Sequence, residues 1–367
     1  MSYKILAINP GSTSTKIAVY EDEQEVWSRS ISHSTEELLN YPTLFDQLMM
    51  RYEKIIDTIT YHDIPLTDLS AVVGRGGMLP PVQAGAYLIN KAMLEQLEFD
   101  PVGEHASNLG APLAYRVAEQ LSIPAYIYDP VTVDEMIDIT RVTGWKIISR
   151  SGKCHNLNMR AAALRYAREN GLDYNGQNLI ISHLGGGITS SLHSKGRIID
   201  MVSDDEGAFA PERAGLLPGQ QLVAVCAKCG KSYEELSRML RRTGGMLDHL
   251  GTTDLREVEK RIAGGDEHAK LIYEAMALNV AKDIARLAAV VSGEVDAIIL
   301  TGGIAYSKKF TALVTGRVKW IAPVKIFAGE NEMESLAHGA LRVLTGEEQA
   351  HEYVARPVVT ACPIEKE

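Results

Sequence analysis

The chain has little cysteine. Four residues in 367 do not make a disulfide framework and suit a reducing compartment. Two of them, Cys226 and Cys229, form a CAKC pair, but structural zinc needs four ligands at matched spacing and the sequence holds no second pair. A metal reading is therefore rejected, and these thiols are expected to pack in a helix. No stretch approaches the roughly 20 consecutive apolar residues of a membrane span. The most apolar helical segment, Ile284 to Val291, is interrupted by Arg286. There is no excess of cations either. A formal charge of −10 argues against a nucleic-acid surface as the main purpose, because such surfaces concentrate Lys and Arg to neutralise phosphates. An anionic ligand must then be held by local groups. The opening MSYKILAIN lacks a basic segment, a long apolar core and a small-residue cleavage site, so a cytoplasmic protein is expected.

What is present is a globular balance of 46% hydrophobic and 23% charged residues, in a chain longer than one core supports. Two domains are expected. INPGSTSTKIAVYED from Ile8 and SHLGGGITSSLHSKG from Ser182 read as one local structure written twice. Each leaves an apolar run, passes through a glycine and hydroxyl turn, and enters a second run with strand-like alternation. Laying Gly11 on Gly185 puts Asn9 on His183, Thr15 on Thr189 and Glu21–Asp22 on Lys195–Gly196 without a gap, which points to duplication. Such a turn exposes backbone N–H groups with no ladder partner and makes an anion-binding concavity. Gly11, Ser12, Thr13 and Ser14 in the first copy, and His183, Gly185, Gly186 and Gly187 in the second, are the phosphate candidates. Lys16 could neutralise phosphate or be an exposed strand lysine.

The coarse reading elsewhere has a helical region over Thr35–His62, a short strand at Ala71, a helix from near Ser107, and the strand PAYIYDP. A helix over Asn156–Asn170 closed by Gly171, a long amphipathic helix over His268–Val291 and the strand DAIILTGG follow. A buried strand running into Gly302 and Gly303, then Ile304, brings backbone close to a ligand. It reads as an adenosine-binding turn, with an ordinary strand-to-helix turn as the alternative.

Hairpin, hairpin and strand-plus-GG turn, in that order, resemble the acetate and sugar kinase, Hsp70 and actin superfamily over the whole chain. INPGSTSTK resembles the acetate kinase signature. VVGRGGMLPPVQAGAYLIN, EHASNLGAPLA, KCHNLN, SHLGGGITS and EGAFAPERAGLLPG resemble the butyrate kinases of the acetokinase family. The resemblance implies a duplicated RNase H-like α/β fold in two lobes with an interlobe active-site cleft that closes to exclude water. It places an N-terminal domain over 1–150, joined by a C-terminal helix at about 338–367, and a C-terminal domain over 151–337. The implied partners are ATP, Mg²⁺ and a small carboxylate, with phosphoryl transfer giving butanoyl phosphate, and a homodimer or larger assembly, without nucleic acid or membrane. Acetate, propionate and branched acids are rival substrates, because a methylene contributes only about 1–3 kcal/mol of discrimination.

The chemistry suits the residue types. A carboxylic acid near the reference pKa of about 4.3 is already ionised at neutral pH, so its phosphorylation needs no general base. It needs cations and donors, because the loose transition state spreads charge over the equatorial oxygens. Arg75, between Gly74 and Gly76, has a planar fork for a carboxylate or phosphoryl oxygen. By resemblance, His155 donates to the transferring phosphoryl group, Asp129 orients Mg²⁺ or its waters, and His105 with Asn108 stands beside the substrate. Arg213 is the candidate second arginine, unless that place falls on the following LLPGQ. Glu332 is the acidic metal ligand near the chain's end, with Glu330 and Glu334 close enough to be confused with it. Asn9 stands beside the γ-phosphate and metal where Hsp70 and sugar kinases have Asp, which removes one negative charge beside an anionic acceptor. An Hsp70-like or actin-like nucleotide-gated binder would leave Arg75 and His155 without a task. A sugar kinase would need a carboxylate base that the first hairpin lacks.

Overall fold

A computed structural model describes residues 2–358, so residues 359–367 of the expected C-terminal segment lie outside the described residues. The chain divides into two compact units. Unit 1 takes the chain up to Asp134, Val142–Arg150 and the chain from Asn331 onward; unit 2 takes Glu135–Arg141 and Ser151–Glu330.

Apolar runs such as KILAINP and AVVGR form strands buried along most of their length, as a sheet covered on both faces requires. In unit 1, β1 (Lys4–Pro10), β2 (Ser14–Glu21) and β3 (Gln24–Ser32) are antiparallel. β4 (Ala71–Arg75) adds to β1 in parallel, and β6 (Ala125–Tyr128) adds to β4 in parallel. β5 (Ala86–Leu88) and the short strand His351–Glu352 extend that edge. Unit 2 repeats the plan. β7 (Asn178–Leu184), β8 (Ile188–Ser194) and β9 (Arg197–Val202) are antiparallel, and β10 (Ala297–Gly302) and β11 (Val324–Ala328) follow in parallel beyond β7. This is the duplicated RNase H-like order expected from the sequence.

The duplication reaches fine detail. The register slips between Val19 and Tyr20 against β3, and between Leu192 and His193 against β9, so each copy carries an irregularity at the matching place. The gapless correspondence needs correction, however. Pro10 pairs with Thr15 across four turn residues, whereas Leu184 pairs with Ile188 across three. The second turn is one residue shorter, so beyond it Lys16, not Thr15, matches Thr189. Asp22 (φ 50) then matches Lys195 (φ 50), the left-handed residue of each following turn.

In unit 2 the helix Glu267–Val290 buries Ile284 and Leu287 in one core with Ile180 and Leu300. In unit 1 the helix Gly110–Leu121 lies so close to β4 that a Cβ on Gly74 would sit 2.2 Å from the Gly110 carbonyl oxygen. Only glycine allows that approach, and Arg75 follows it directly. The helix expected from near Ser107 begins as a 3₁₀ turn over Ala106–Leu109. The expected Thr35–His62 helix is two, Thr35–Leu38 and Leu48–Tyr61. Pro42 between them disfavours helical backbone at Tyr41. Cys226 and Cys229 are exposed rather than packed, because the helix Gly219–Lys228 that carries Cys226 buries none of its residues within the chain. Among the described residues no helix is long and apolar enough to cross a membrane.

Candidate active site

Unit 1 brings together three expected residues from distant parts of the chain. Asn9 near the end of β1 donates from Nδ2 to Glu332 Oε2 at 2.6 Å, and Arg75 at the end of β4 donates from Nη1 to Glu332 Oε1 at 2.5 Å. Glu332 opens the helix Glu332–Leu344, where the helix dipole favours an acid. Burial alone would push its carboxyl pKa up. The Arg75 guanidinium, the Asn9 amide and the Lys16 ammonium outweigh that and hold it below the usual range. Lys16 sits opposite Asn9 in the β1–β2 ladder. Arg75 is only 16% exposed, and Nη1 is its one engaged nitrogen among the described residues.

His105 accepts from the Ser107 backbone N–H at Nδ1 (3.2 Å), which leaves Nε2 as the protonated, donating nitrogen of the neutral ring. Desolvation first, then the Arg75 charge, lowers its pKa, with Glu332 opposing. His105 therefore shares the electrostatic field of this group. Asn108 is buried and its amide is committed to the fold: Oδ1 accepts from Met78 N at 2.8 Å and Nδ2 donates to Gly103 O at 3.0 Å. It staples the loop after Arg75. Asp129 is buried at φ 39, and its Oδ1 accepts from Gly85 N at 2.7 Å. The three neighbouring glutamates separate cleanly. Glu332 meets Arg75 and Asn9, Glu334 bonds the helix cap Asn331, and Glu330 faces His183 in unit 2.

In unit 2 the His155 and His183 rings stack at 4.0 Å between centroids and 12° between planes. His155 Nδ1 meets Thr189 Oγ1 at 2.9 Å. Asn158 Nδ2 donates to His183 Nδ1 at 2.9 Å and to Thr301 Oγ1 at 3.2 Å, which puts the His183 proton on Nε2, toward Glu330 Oε2 at 3.5 Å. Thr301 in turn donates to Gly329 O. The second turn lies against this pair. A Cβ on Gly187 would stand 3.7 Å from His155 Cε1 and 3.8 Å from Arg213 Cγ. Glu212 N donates to Gly186 O at 3.2 Å, and Arg213 Nε donates to Asp204 Oδ2 at 3.1 Å. Gly302, at φ 88, touches the end of β7, where a Cβ would meet Leu184 O at 2.4 Å; Gly303 and Ile304 follow in a 3₁₀ turn.

Two sets of polar side chains therefore exist, each beside a glycine turn. One is built on Arg75, Asn9 and Glu332; the other is built on His155, His183 and Arg213. The acetokinase family pattern matches residues 155–338, which span the second set. Butyrate kinase 1 of Clostridium acetobutylicum is 45% identical over 353 residues, covering 96% of this chain and 99% of that one. The chain belongs to the acetokinase family. Probable butyrate kinase 2 of Caldanaerobacter subterraneus subsp. tengcongensis is 46% identical over 347 residues, covering 94% of this acetokinase and 98% of its relative. Among solved structures, an acetate kinase from Porphyromonas gingivalis superimposes with a TM-score of 0.79 at 17% identity, over 93% of this chain and 100% of that one. A propionate kinase from Francisella tularensis gives 0.73 at 19%, over 92% and 98%. Those two likenesses show the fold.

Three residues that bond members of these two sets or the first glycine turn escaped the sequence reading. Asn158 and Thr301 look like ordinary helix and strand residues, although Asn158 lies three positions beyond His155 and Thr301 directly precedes Gly302. Arg51 lies in LMMRYEK, where a charge within an amphipathic helix reads as its solvent face.

Proposed function

We propose that the protein transfers the γ-phosphoryl group of ATP to butyrate, giving butyryl phosphate and ADP. Two relatives, one named butyrate kinase 1 and one named probable butyrate kinase 2, at 45% and 46% identity over nearly the whole chain support the choice of acid. The observation that carries the carboxylate chemistry is Arg75. Its Nη1 already holds one carboxylate, Glu332, while Nε and Nη2 have no partner among the described residues, so half of the fork remains for a second carboxylate. His105 Nε2–H is a further donor to the same anion, and Asn108, which holds the loop after Arg75, stands beside it.

The acid arrives ionised, so one of its oxygens attacks phosphorus directly. The new P–O bond forms as the bond to the β-phosphate bridging oxygen breaks, and ADP leaves with that electron pair. The Gly11–Ser14 and Gly185–Gly187 turns offer N–H groups to the phosphates, and His155 with Arg213 meets charge on the transferring group. Gly302, Gly303 and Ile304 take the nucleoside end.

For Mg²⁺ the donor set fits. Magnesium uses one or two carboxylates together with substrate phosphates and does not need a protein cage. Glu332 supplies a carboxylate, and Asn9 turns its amide nitrogen to Glu332 and keeps Oδ1 without a partner among the described residues. Bound there, the ion would neutralise charge on the phosphates. Asp129 would act on it through water.

Hydroxylamine trapping of acyl phosphate with ATP, across C2 to C6 linear and branched acids, tests the reading. Butyrate should give the highest kcat/KM. A clear preference for acetate would move the substrate, and ATP turnover without hydroxamate would sink the acyl-kinase reading. We also read the protein as a cytoplasmic homo-oligomer. Val223 (68% exposed) and Val225 (54%) on the helix Gly219–Lys228 leave apolar surface open in unit 2. Light scattering at a monomer mass of 40.1 kDa would overturn the oligomer.

A further inference from the structure

We propose that Arg51, on the helix Leu48–Tyr61, is the positioning residue that fixes the Gly11–Ser14 turn in its phosphate-binding conformation. The proposal rests on the reading above that this turn takes ATP phosphates.

Arg51 is the largest fully buried side chain, with 0% exposure. Nη1 donates to Gly11 O at 2.9 Å, to Ser14 O at 3.3 Å and to Thr15 Oγ1 at 3.1 Å. Nη2 donates to Ser12 O at 3.2 Å and to Gln47 Oε1 at 2.9 Å, and Nε donates to the same Gln47 oxygen at 3.2 Å. The remaining turn carbonyl, Thr13 O, accepts from His33 N at 2.8 Å, and Ser14 O also accepts from Gly11 N at 2.7 Å. Every carbonyl of the turn is thus held from within unit 1.

That arrangement dictates where the amides point. Across a planar trans peptide the C=O and the following N–H face opposite ways. Drawing the Gly11 and Ser12 carbonyls onto Arg51 turns the Ser12 and Thr13 N–H groups away from it. Neither amide has an acceptor among the described residues. Two adjacent free amides on a tight turn form the concavity that takes an anion.

The guanidinium also brings charge. No carboxylate lies within ion-pair distance of Arg51 among the described residues, and the anion that influences it, Glu37, is tied to Lys54 Nζ at 2.6 Å. His33, beside it, is held neutral at pH 7, with its pKa lowered to about 4 by burial and then by Arg51 and Lys54. A desolvated cation bonded only to neutral oxygens keeps its field for whatever anion sits on the far side of the turn. Packing alone would be served by Met or Leu without the desolvation cost.

The test compares the full-length parent with Arg51→Met, Arg51→Lys and Gln47→Glu, by calorimetric titration with ATP and by KM for ATP and for butyrate. Arg51→Met should weaken ATP binding and raise its KM tenfold or more, with KM for butyrate within twofold of parent. Arg51→Lys should recover part of the loss, because one ammonium cannot fork across three carbonyls. Gln47→Glu keeps both acceptor bonds but sets an anion against the guanidinium, and should weaken ATP binding at least threefold in a folded protein. Parental ATP affinity in folded Arg51→Met, or an equal rise in both KM values, overturns the proposal. Should Arg51→Met fail to fold, Gln47→Glu decides, and parental ATP affinity in it overturns the proposal. The titration needs no acid acceptor, so a parent that makes no acyl phosphate would sink the functional reading without deciding this one.

Discussion

The two glycine turns share strand order, a matching register slip and a matching left-handed residue after the second strand, yet they are held in different ways. The first is four residues long and hangs by its carbonyls on a buried arginine side chain. The second is three residues long, and among the described residues no arginine side chain bonds its carbonyls; it is braced by a backbone bond from Glu212 and by a stacked histidine pair. Duplication preserved the ladder, where hydrogen bonding fixes geometry residue by residue. The supports beneath each turn were free to diverge, because many donors can satisfy the same carbonyls. The turns have also taken on different neighbours. An arginine with a carboxylate accompanies the first, and histidines with an arginine accompany the second.

If this division of labour is right, the largest effects should come from the charged neighbours. Arg75→Ala should lower kcat for butyryl phosphate about 10²–10³-fold, the scale of losing one transition-state donor, while leaving ATP affinity near parental. His155→Ala should lower kcat on the same scale and raise KM for ATP, because its ring rests on the second turn. Equal patterns in both variants would erase the distinction.

The supports should also differ in sign with pH. His33 is neutral in the fold, with its pKa lowered from 6.5 to about 4, so the stability it contributes at pH 7 is lost as pH falls through that window, by about 3 kcal/mol. Asp283 bonds Ala208 N at 2.7 Å on the segment that leads to Glu212, and burial raises its carboxyl pKa from 3.8 to about 6. Its contribution is largest in acid and declines by about 3 kcal/mol as pH rises through 3.8 to 6. Urea midpoints between pH 4 and 7 should therefore change slope in opposite directions in His33→Gln and Asp283→Asn. Slopes changing the same way would show that one of these assignments is wrong.

The smallest effects should come from the turn glycines. A Cβ on Gly185 would stand 2.9 Å from His183 Nε2, on a buried ring that Asn158 bonds and His155 stacks against, so Gly185→Ala should raise KM for ATP several-fold. A Cβ on Gly11 finds nothing nearer than Ser14 O at 3.5 Å, an ordinary contact, so Gly11→Ala should stay within about twofold. Equal sensitivity at the two glycines would mean that the turns are held alike.

Much of this was legible in the chain. The strands announce themselves because runs such as AIILTG are buried along their whole length, and the turns because glycine and hydroxyl residues interrupt those runs. Asn9, Arg75 and Glu332 could be named from motifs, but their convergence on one another could not. It depends on a helix near the chain's end joining strands from its beginning. The missing residue in the second turn was hidden because Thr15 and Thr189 share an identity without sharing a ladder position. Arg51 was hidden for the opposite reason. A charged side chain in an amphipathic helix reads as solvent-facing, and only the folded turn supplies the carbonyls that make burial tolerable.

The helix Glu332–Leu344 packs on β1, β2, β4 and β6 and brings Glu332 to Arg75 and Asn9. During translation the strands of unit 1 are made before unit 2, but their covering helix follows only after all of unit 2. A nascent chain therefore carries an unfinished first unit until the whole of unit 2 has been made. Premature termination anywhere before Glu332 would yield a protein without this carboxylate, however well its second half had folded.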